Sequence, residues 1–314
     1  MKNPLLRPKR LLKNLALFRS LKTATRVHPY PLSFNRGHTR DLSKGIYVPE
    51  AKAFIPTLEP EALALLADLF SVRVIQENLN GNFEYRDKKW FIDVCGLRIA
   101  TTTSIDISVV AEIFSQGIYE MSLLEPPGLV LDIGMNFGAA SLYFANKYDC
   151  PVHAFEIFPP TFELAEANFQ LNPKVADRIT RHCKGLGDKD EELSLAYDPD
   201  NKGGLGLYYS AKSTKEQLVK VEVVRATTAL GPLLESSQGP VVVKMDCEGA
   251  EFPILRDLDS SELLRRVDYM ILEWHTVGGE LSELLDILHR NGFASFVQSD
   301  GDWKIGYIRA VRMK

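Results

Sequence analysis

The chain has 314 residues, of which 45% are hydrophobic and 25% charged, proportions that belong to a folded globular protein and exclude a disordered or collagen-like one. A net charge of −4 provides no global positive field, so no nucleic-acid partner is expected. No apolar run approaches the about 18 residues that a membrane-spanning helix needs, since the best stretch, Ala62 to Phe70, is short and broken by Asp68.

Residues 1–56 form a basic arm and linker. The first forty residues carry ten lysines and arginines and no acid, which leaves an acidic body behind them. Leu5, Leu12, Leu15 and Phe18, with Leu11 and Leu21, give the arm a rough helical stripe, suited to lying on an anionic membrane surface. A frayed, solvated terminus is the alternative. Lys13 interrupts the apolar part of the arm and no small-residue cleavage pattern follows, which argues against a secretory signal. Residues 27–56, with His28-Pro29-Tyr30-Pro31, Pro49 and Pro56, have the composition of linker or lid.

Residues 57–127 predict a small α+β cap. Glu59-Pro60-Glu61 has the chemistry of a helix start, and Leu63, Leu66, Ala67 and Phe70 supply a stripe to bury. Trp90 to Val94 and Leu97 to Thr101 predict a hairpin around Cys95-Gly96, and Ile105 to Gln116 a further helix.

From residue 128 to 314 strands alternate with helices, the pattern of an α/β domain with a doubly wound, mostly parallel sheet. Strands are expected at Leu129 to Ile133, Val152 to Glu156, Ile179 to Lys184, Val219 to Val224, Val241 to Asp246, Tyr269 to Glu273, Ala294 to Gln298 and Lys304 to Val311. Helices are expected at Gly138 to Lys147, Thr161 to Leu171, Thr228 to Glu235, Ala250 to Leu258 and Leu281 to Asn291. With no helix between them, the last two strands should pair antiparallel. Leu205 to Ser210 resembles an inserted hairpin or flap, loosened by Gly203, Gly204 and Gly206. Four cysteines without a C-x-x-C pair argue against a zinc site or a disulfide scaffold and point to a reducing, cytoplasmic setting, with the arm available to the inner face of a membrane.

Three segments concentrate the chemistry. Asp132-Ile133-Gly134-Met135-Asn136-Phe137-Gly138 carries an apolar strand through a glycine turn into a helix, where open α/β sheets bind their ligands. Its G-x-x-x-G spacing departs from the G-x-G-x-x-G that cradles a dinucleotide. Glu156 closes the next strand and is placed to accept both ribose hydroxyl hydrogens of a nucleoside, while in Gly185-Leu186-Gly187-Asp188 the leucine can cover an adenine face and the aspartate meet its amino group. Lys244-Met245-Asp246-Cys247-Glu248-Gly249-Ala250-Glu251 ends a buried strand in three carboxylates, with alternation turning Lys244, Asp246 and Glu248 to one side. Lys244 has a structural reading as partner of one of these acids. In Ile271-Leu272-Glu273-Trp274-His275 the acid and the histidine again share a side, and histidine suits proton transfer near neutrality.

These segments resemble the FkbM-type methyltransferases, over roughly Arg98 to His275. The resemblance rests on 132–138, Ala154-Phe155-Glu156, Asn168 with Asn172, Gly187-Asp188 and above all 244–251, and extends upstream to Thr103-Ser104-Ile105-Asp106 with Phe114 and Tyr119. Met135 and Ile157-Phe158 depart from the usual pattern. The resemblance implies a class I (Rossmann-like) methyltransferase domain that uses S-adenosylmethionine. Asp132, Gly134, Asn136, Gly138, Glu156, Ile157, Leu186, Asp188, Asp246 and Glu248 are then the candidate cofactor ligands, and Glu251, Glu273 and His275 the candidate catalytic groups. The expected reaction is O-methylation of a hydroxyl on a sugar, glycolipid or secondary metabolite, the acceptor being a small molecule, glycan or lipid-linked group. No metal is assigned; the alternative is a hard cation such as magnesium held by Asp246, Glu248 and Glu273. The rival functions are an NAD-dependent oxidoreductase and a non-catalytic membrane-associated binding module.

Overall fold

A computed structural model describes residues 46–57, 59–199, 202–206, 217–299, 301 and 304–313. The expected arm, the linker before residue 46 and positions 207–210 of the expected flap lie outside the described residues. The chain divides into two compact units between Ile118 and Tyr119.

The first unit begins with a short antiparallel pair, β1 (Ile46–Val48) and β2 (Ala53–Ile55), within the stretch expected to be linker. Helices α1 (Pro60–Ala67) and α2 (Leu69–Leu79) follow where one helix with a single stripe was expected. Asp68 causes the break. Its backbone leaves the helical region and its carboxylate accepts from Ser71 N, capping a new helix whose phase starts afresh. Leu63 is therefore buried, with Ala62 and Leu65, whereas Leu66 and Ala67 are half-buried and Phe70 is 69% exposed. An antiparallel meander comprises β3 (Asn82–Arg86), β4 (Lys89–Val94) and β5 (Leu97–Thr101). Left-handed pairs at Asp87-Lys88 and Cys95-Gly96 make its two tight turns. Helix α3 (Ser104–Ala111) opens on a capping box between Thr103 and Asp106 and continues as a π-helical turn to Gln116.

The second unit contains β6 (Leu129–Ile133), α4 (Ala139–Tyr148), β7 (Val152–Phe155), α5 (Pro159–Leu171), the short α6 (Pro173–Ala176), β8 (Ile179–His182), β9 (Gly185–Gly187), β10 (Glu191–Tyr197), β11 (Gln217–Arg225), α7 (Ala226–Ser236), β12 (Val241–Met245), α8 (Glu251–Ser260), β13 (Tyr269–His275), α9 (Leu281–Arg290), β14 (Phe293–Gln298) and β15 (Ile305–Arg312). Seven strands form one sheet in the order β14-β15-β13-β12-β6-β7-β8. All pairs are parallel except those of β15, which runs antiparallel to both neighbours. The expected 219–224 strand departs from this plan. As β11 it belongs to a separate three-stranded sheet with β10 and β9, because its partners are the local β10 hairpin arm and the short β9 rather than a sheet strand.

The central strands β6 and β12 are buried at every position, as strands covered by helices on both faces must be. Strand order reverses here: β7 and β8 extend the sheet from β6, while β13 extends it from β12. The crevice beyond the carboxyl ends of β6 and β12 is thus the ligand position that this topology creates. Two buried charges underlie it. Lys244, 2% exposed on β12, directs its ammonium to Asp132 on β6 at 3.2 Å and donates to the Gly134 carbonyl at 2.6 Å. Burial pulls this ammonium down, but the Asp132 and Asp246 carboxylates outweigh it and its pKa is raised. Asp132 also accepts from Ser141 Oγ at 2.5 Å.

Removing one member of a buried pair leaves the other charged and unpartnered, at a cost of about 3–5 kcal/mol. Lys244→Met is therefore expected to lower the unfolding free energy by about that amount, measured by urea denaturation; a loss below about 1 kcal/mol would show that Asp132 does not depend on the pair.

Candidate functional site

The turn after β6 is shaped by close approach. Gly134 has φ 79°, and a Cβ there would lie 1.8 Å from the Asp246 carbonyl oxygen in the turn after β12. Gly138 has φ 85° and faces Phe169 and Ala165 of α5. Both glycines are thus required by packing between protein segments. From α5, Asn168 Nδ2 donates to the Phe137 carbonyl at 2.9 Å, and Asn172 Nδ2 donates to the Asn168 carbonyl at 2.8 Å, bracing the turn from behind.

A cavity opens at this edge, where the turns that follow β6, β7 and β12 meet. Of the expected cofactor ligands, Gly134, Asn136, Glu156, Ile157, Leu186, Asp246 and Glu248 line it. Asp132 lies beneath, committed to Lys244 and Ser141; Gly138 packs against α5; Asp188 is exposed in the bend after β9. Lys184 and Lys202, and Leu205 and Gly206 of the expected flap, were not assigned to the site from the sequence and also contribute to the wall. Gly206 packs so tightly that a Cβ there would lie 2.5 Å from Glu248 Cβ. Glycines mark this segment as a flap but do not tie it to the acidic turn, which it meets only through the fold.

Glu156 is buried on the cavity wall. Its Oε2 accepts from Asn136 N at 3.0 Å and its Oε1 from Phe158 N at 2.9 Å, which leaves each oxygen a further lone pair. Burial raises this carboxyl to about 7, against the pull of those two amides. Asn136 Oδ1, also on the wall, is buried without a hydrogen-bond partner among the described residues. A nucleoside fits this donor set: hydroxyl hydrogens for Glu156, a polar partner for Asn136, and apolar contact from Phe155, Ile157 and Leu186.

The acidic turn does not continue the strand alternation expected of it. β12 ends at Met245, and Glu248 adopts φ 53°, so Asp246 and Glu248 reach the cavity while Lys244 stays below. Glu251, the first residue of α8, folds back on the turn: Oε1 accepts from Cys247 N and Oε2 from Gly249 N, both at 2.8 Å. It is fully buried, and its place is that of a clamp on the turn. Tyr119 donates its hydroxyl to Asp246 Oδ2 at 3.0 Å and lays its ring 5.1 Å from the Lys244 ammonium.

The strand pairing of β12 with β13 brings His275 and Glu273 beside these acids. His275, 5% exposed, has Nδ1 3.4 Å from Glu251 Oε1 and Nε2 3.4 Å from Glu248 Oε2 and 4.0 Å from Glu273 Oε1. Burial lowers the imidazole, but the hydrogen bond to Glu251 and the charges of Glu248, Glu251 and Asp246 together raise it to about 9. Burial, then the Asp246 charge, raises Glu273 to about 8; burial also raises Glu248 to about 7 against the pull of His275. His275 is consequently an imidazolium near neutrality and has no free lone pair to accept a proton. Asp246, Glu248 and His275 present ligand atoms all within 4.8 Å of one another, a different trio from the Asp246, Glu248 and Glu273 of the magnesium alternative.

The Methyltransferase FkbM domain family matches residues 132–295, more than half of the chain. "Methyltransferase 1" of Beauveria bassiana (strain ARSEF 2860) is 28% identical over 209 residues, covering 61% of this chain and 82% of its own. "31-O-demethyl-FK506 methyltransferase FkbM" of Streptomyces tacrolimicus is 24% identical over 205 residues, covering 56% and 76%. Among solved structures, methyltransferase FkbM from Methylobacillus flagellatus KT aligns with 96% of this chain at 12% identity and a TM-score of 0.42, and this chain spans 60% of that one. The sheet order and its single antiparallel strand are those of the Rossmann-like class I fold. With that sheet and a family match over more than half its length, the chain belongs to the FkbM methyltransferase family.

Proposed function

We propose that the chain is an S-adenosylmethionine-dependent O-methyltransferase acting on a hydroxyl of a sugar, glycolipid or secondary metabolite. The observation that carries this reading is the cavity at the strand-order reversal, which sets buried Glu156 and the acids Asp246 and Glu248 on one wall in a chain of the FkbM family. The name of the Streptomyces tacrolimicus relative, an O-demethyl-compound methyltransferase, supports oxygen as the receiving atom.

Bound S-adenosylmethionine would supply an electrophilic methyl group, and Glu156, Asn136 and the apolar residues of the cavity would hold it. Glu156 fixes the ribose, and Asn136 and the apolar wall fix the rest of the nucleoside. Holding the reacting atoms in line can supply about 7–11 kcal/mol of the barrier. Of the three expected catalytic groups, Glu273 best fits the role of receiving the hydroxyl proton, in the ionised form it takes above about pH 8. Glu251 spends both oxygens on backbone amides, and His275 is already protonated. Glu251 and His275 then act by holding the acidic turn and its neighbours in place. The basic arm suits an acceptor presented at an anionic membrane surface from the cytoplasmic side.

Calorimetry is expected to show S-adenosylhomocysteine binding and no NADH binding; the reverse would refute the cofactor assignment. Glu156→Ala should weaken S-adenosylhomocysteine at least about tenfold, the loss of roughly one charge-assisted hydrogen bond. The Glu156 carboxyl lies at about 7, so protons occupy one of its acceptor oxygens below neutrality and leave both open above it. Affinity should accordingly rise from pH 6 to pH 8 in the native chain and stay flat in Glu156→Gln. For chemistry, Glu273→Gln should cut turnover by about 100- to 10,000-fold while S-adenosylhomocysteine affinity is retained. An unchanged turnover would remove Glu273 from proton transfer. The acceptor class is tested by incubation with methyl-labelled cofactor and a cell extract fractionated into lipid, polysaccharide, protein and small-molecule pools.

A further inference from the structure

The geometry points to a divalent-cation site formed by Asp246, Glu248 and His275, at the edge of the cofactor cavity and of the Mn2+ or Mg2+ class. This deepens the methyltransferase reading and rests on it for the role of the ion, though not for its binding.

Three observations converge. The ligand atoms are of mixed type, two carboxylate oxygens and an imidazole nitrogen, and all lie within 4.8 Å of one another. Neighbouring ligands on an octahedral cation with bonds of about 2.1 Å stand about 3 Å apart, so the 3.4 Å between Glu248 Oε2 and His275 Nε2 needs only a small contraction. Second, His275 is nine-tenths buried and its Nε2 edge faces these carboxylates without a hydrogen bond among the described residues. Its other nitrogen faces Glu251 Oε1, and Glu251 is itself fixed by two backbone amides outside the trio. That is how metal-ligating histidines are held: one nitrogen oriented by a carboxylate, the other turned to the ion. Third, among the described residues no lysine or arginine nitrogen lies within 4 Å of the Asp246, Glu248 or Glu273 carboxylates, and the nearby Lys244 is committed to Asp132 and the Gly134 carbonyl. The cation among these carboxylates in the ion-free chain is the His275 imidazolium; a divalent ion bound here displaces its Nε2 proton to solvent and takes over the pairing of Asp246 and Glu248.

The donor set favours Mn2+ or Mg2+, because carboxylates outnumber nitrogen and thiolate is absent from the trio. Asp246 and Glu248 also line the cavity, so the ion would lie where an acceptor oxygen approaches the cofactor, with coordination positions left open to that oxygen.

The test uses the purified full chain without added nucleoside, titrated with Mn2+ and followed by loss of the free-ion electron paramagnetic resonance signal. One Mn2+ per chain is expected, with nitrogen modulation in the pulsed spectrum from the His275 imidazole. His275→Ala should abolish that modulation and weaken binding at least tenfold. Absence of Mn2+ binding, binding without nitrogen modulation in the native chain, or equal binding by a folded His275→Ala variant overturns the site. S-adenosylhomocysteine calorimetry on the same preparation separates the two readings. Nucleoside binding without Mn2+ overturns the ion site and leaves the cofactor assignment standing; Mn2+ binding with nitrogen modulation but without nucleoside supports the ion site and overturns the cofactor assignment.

Discussion

The contact between Lys244 and Asp132 adds a buried ion pair to two strand ends that the β6–β12 ladder already joins. Each residue belongs to a central strand buried on both faces, where an isolated charge would cost several kcal/mol. The ammonium offsets this with a carboxylate at 3.2 Å, a carbonyl at 2.6 Å and the face of Tyr119. The carbonyl is that of Gly134, so the pair sets the glycine turn, and a Gly134 side chain would collide with the Asp246 carbonyl, so the glycine turn sets the acidic one. Tyr119 closes the circuit by donating to the Asp246 side chain. Replacing the pair with apolar groups could leave stability unharmed. It would not reproduce the hydrogen bond that fixes where the Gly134 carbonyl points, which is the functional reason for keeping charge in such a place.

Much of the second unit was legible because its signals are local. β6 was predicted to the residue, and β7, β8, β12, β13, β14 and β15 to within two residues at each end, because turn residues bound these segments and the central β6 and β12 are mostly apolar. What escaped depends on contacts distant in sequence. The 219–224 segment has a strand's composition, and nothing in it tells whether its partner is the main sheet or the hairpin arm β10. Period-three-and-four spacing ran through Asp68 as though the helix did, because the aspartate's role as a cap depends on the backbone leaving the helix there.

The site shows the same division. Glu156, Asp246 and Glu248 stand out in the sequence because a carboxylate after an apolar strand is conspicuous, and the fold places all three on one cavity. Glu251, expected among the catalytic groups, has both oxygens engaged by backbone amides. Its charge suggested chemistry, but position at the first turn of α8 puts it within reach of the free amides of Cys247 and Gly249, and it is spent there. Tyr119 is separated from Asp246 by 127 positions, and no periodicity connects them. Lys244 was read as a structural partner of an acid, yet the acid is Asp132 on the neighbouring strand rather than one in its own segment.

The acidic turn also poses a problem for the proposed chemistry that proximity to a base does not solve. As a hydroxyl loses its proton to attack a methyl group, negative charge grows on oxygen. A carboxylate about 4 Å away then costs about 4 kcal/mol at an effective dielectric near 20. A positioned base contributes about 100- to 10,000-fold, roughly 3–5 kcal/mol, which offsets one such neighbour and not several. His275 as an imidazolium balances a single negative charge, and it is shared between Glu248 and Glu251. Carboxylates gathered around a nascent alkoxide are therefore productive only if positive charge stands between them and the oxygen. A sulfonium cannot fill that role through the reaction, because its charge disappears as the methyl group leaves. A divalent ion of the kind proposed would keep its charge throughout, replacing the single charge of the His275 proton it displaces, and Asp246 and Glu248 would then hold that cation against the developing oxyanion.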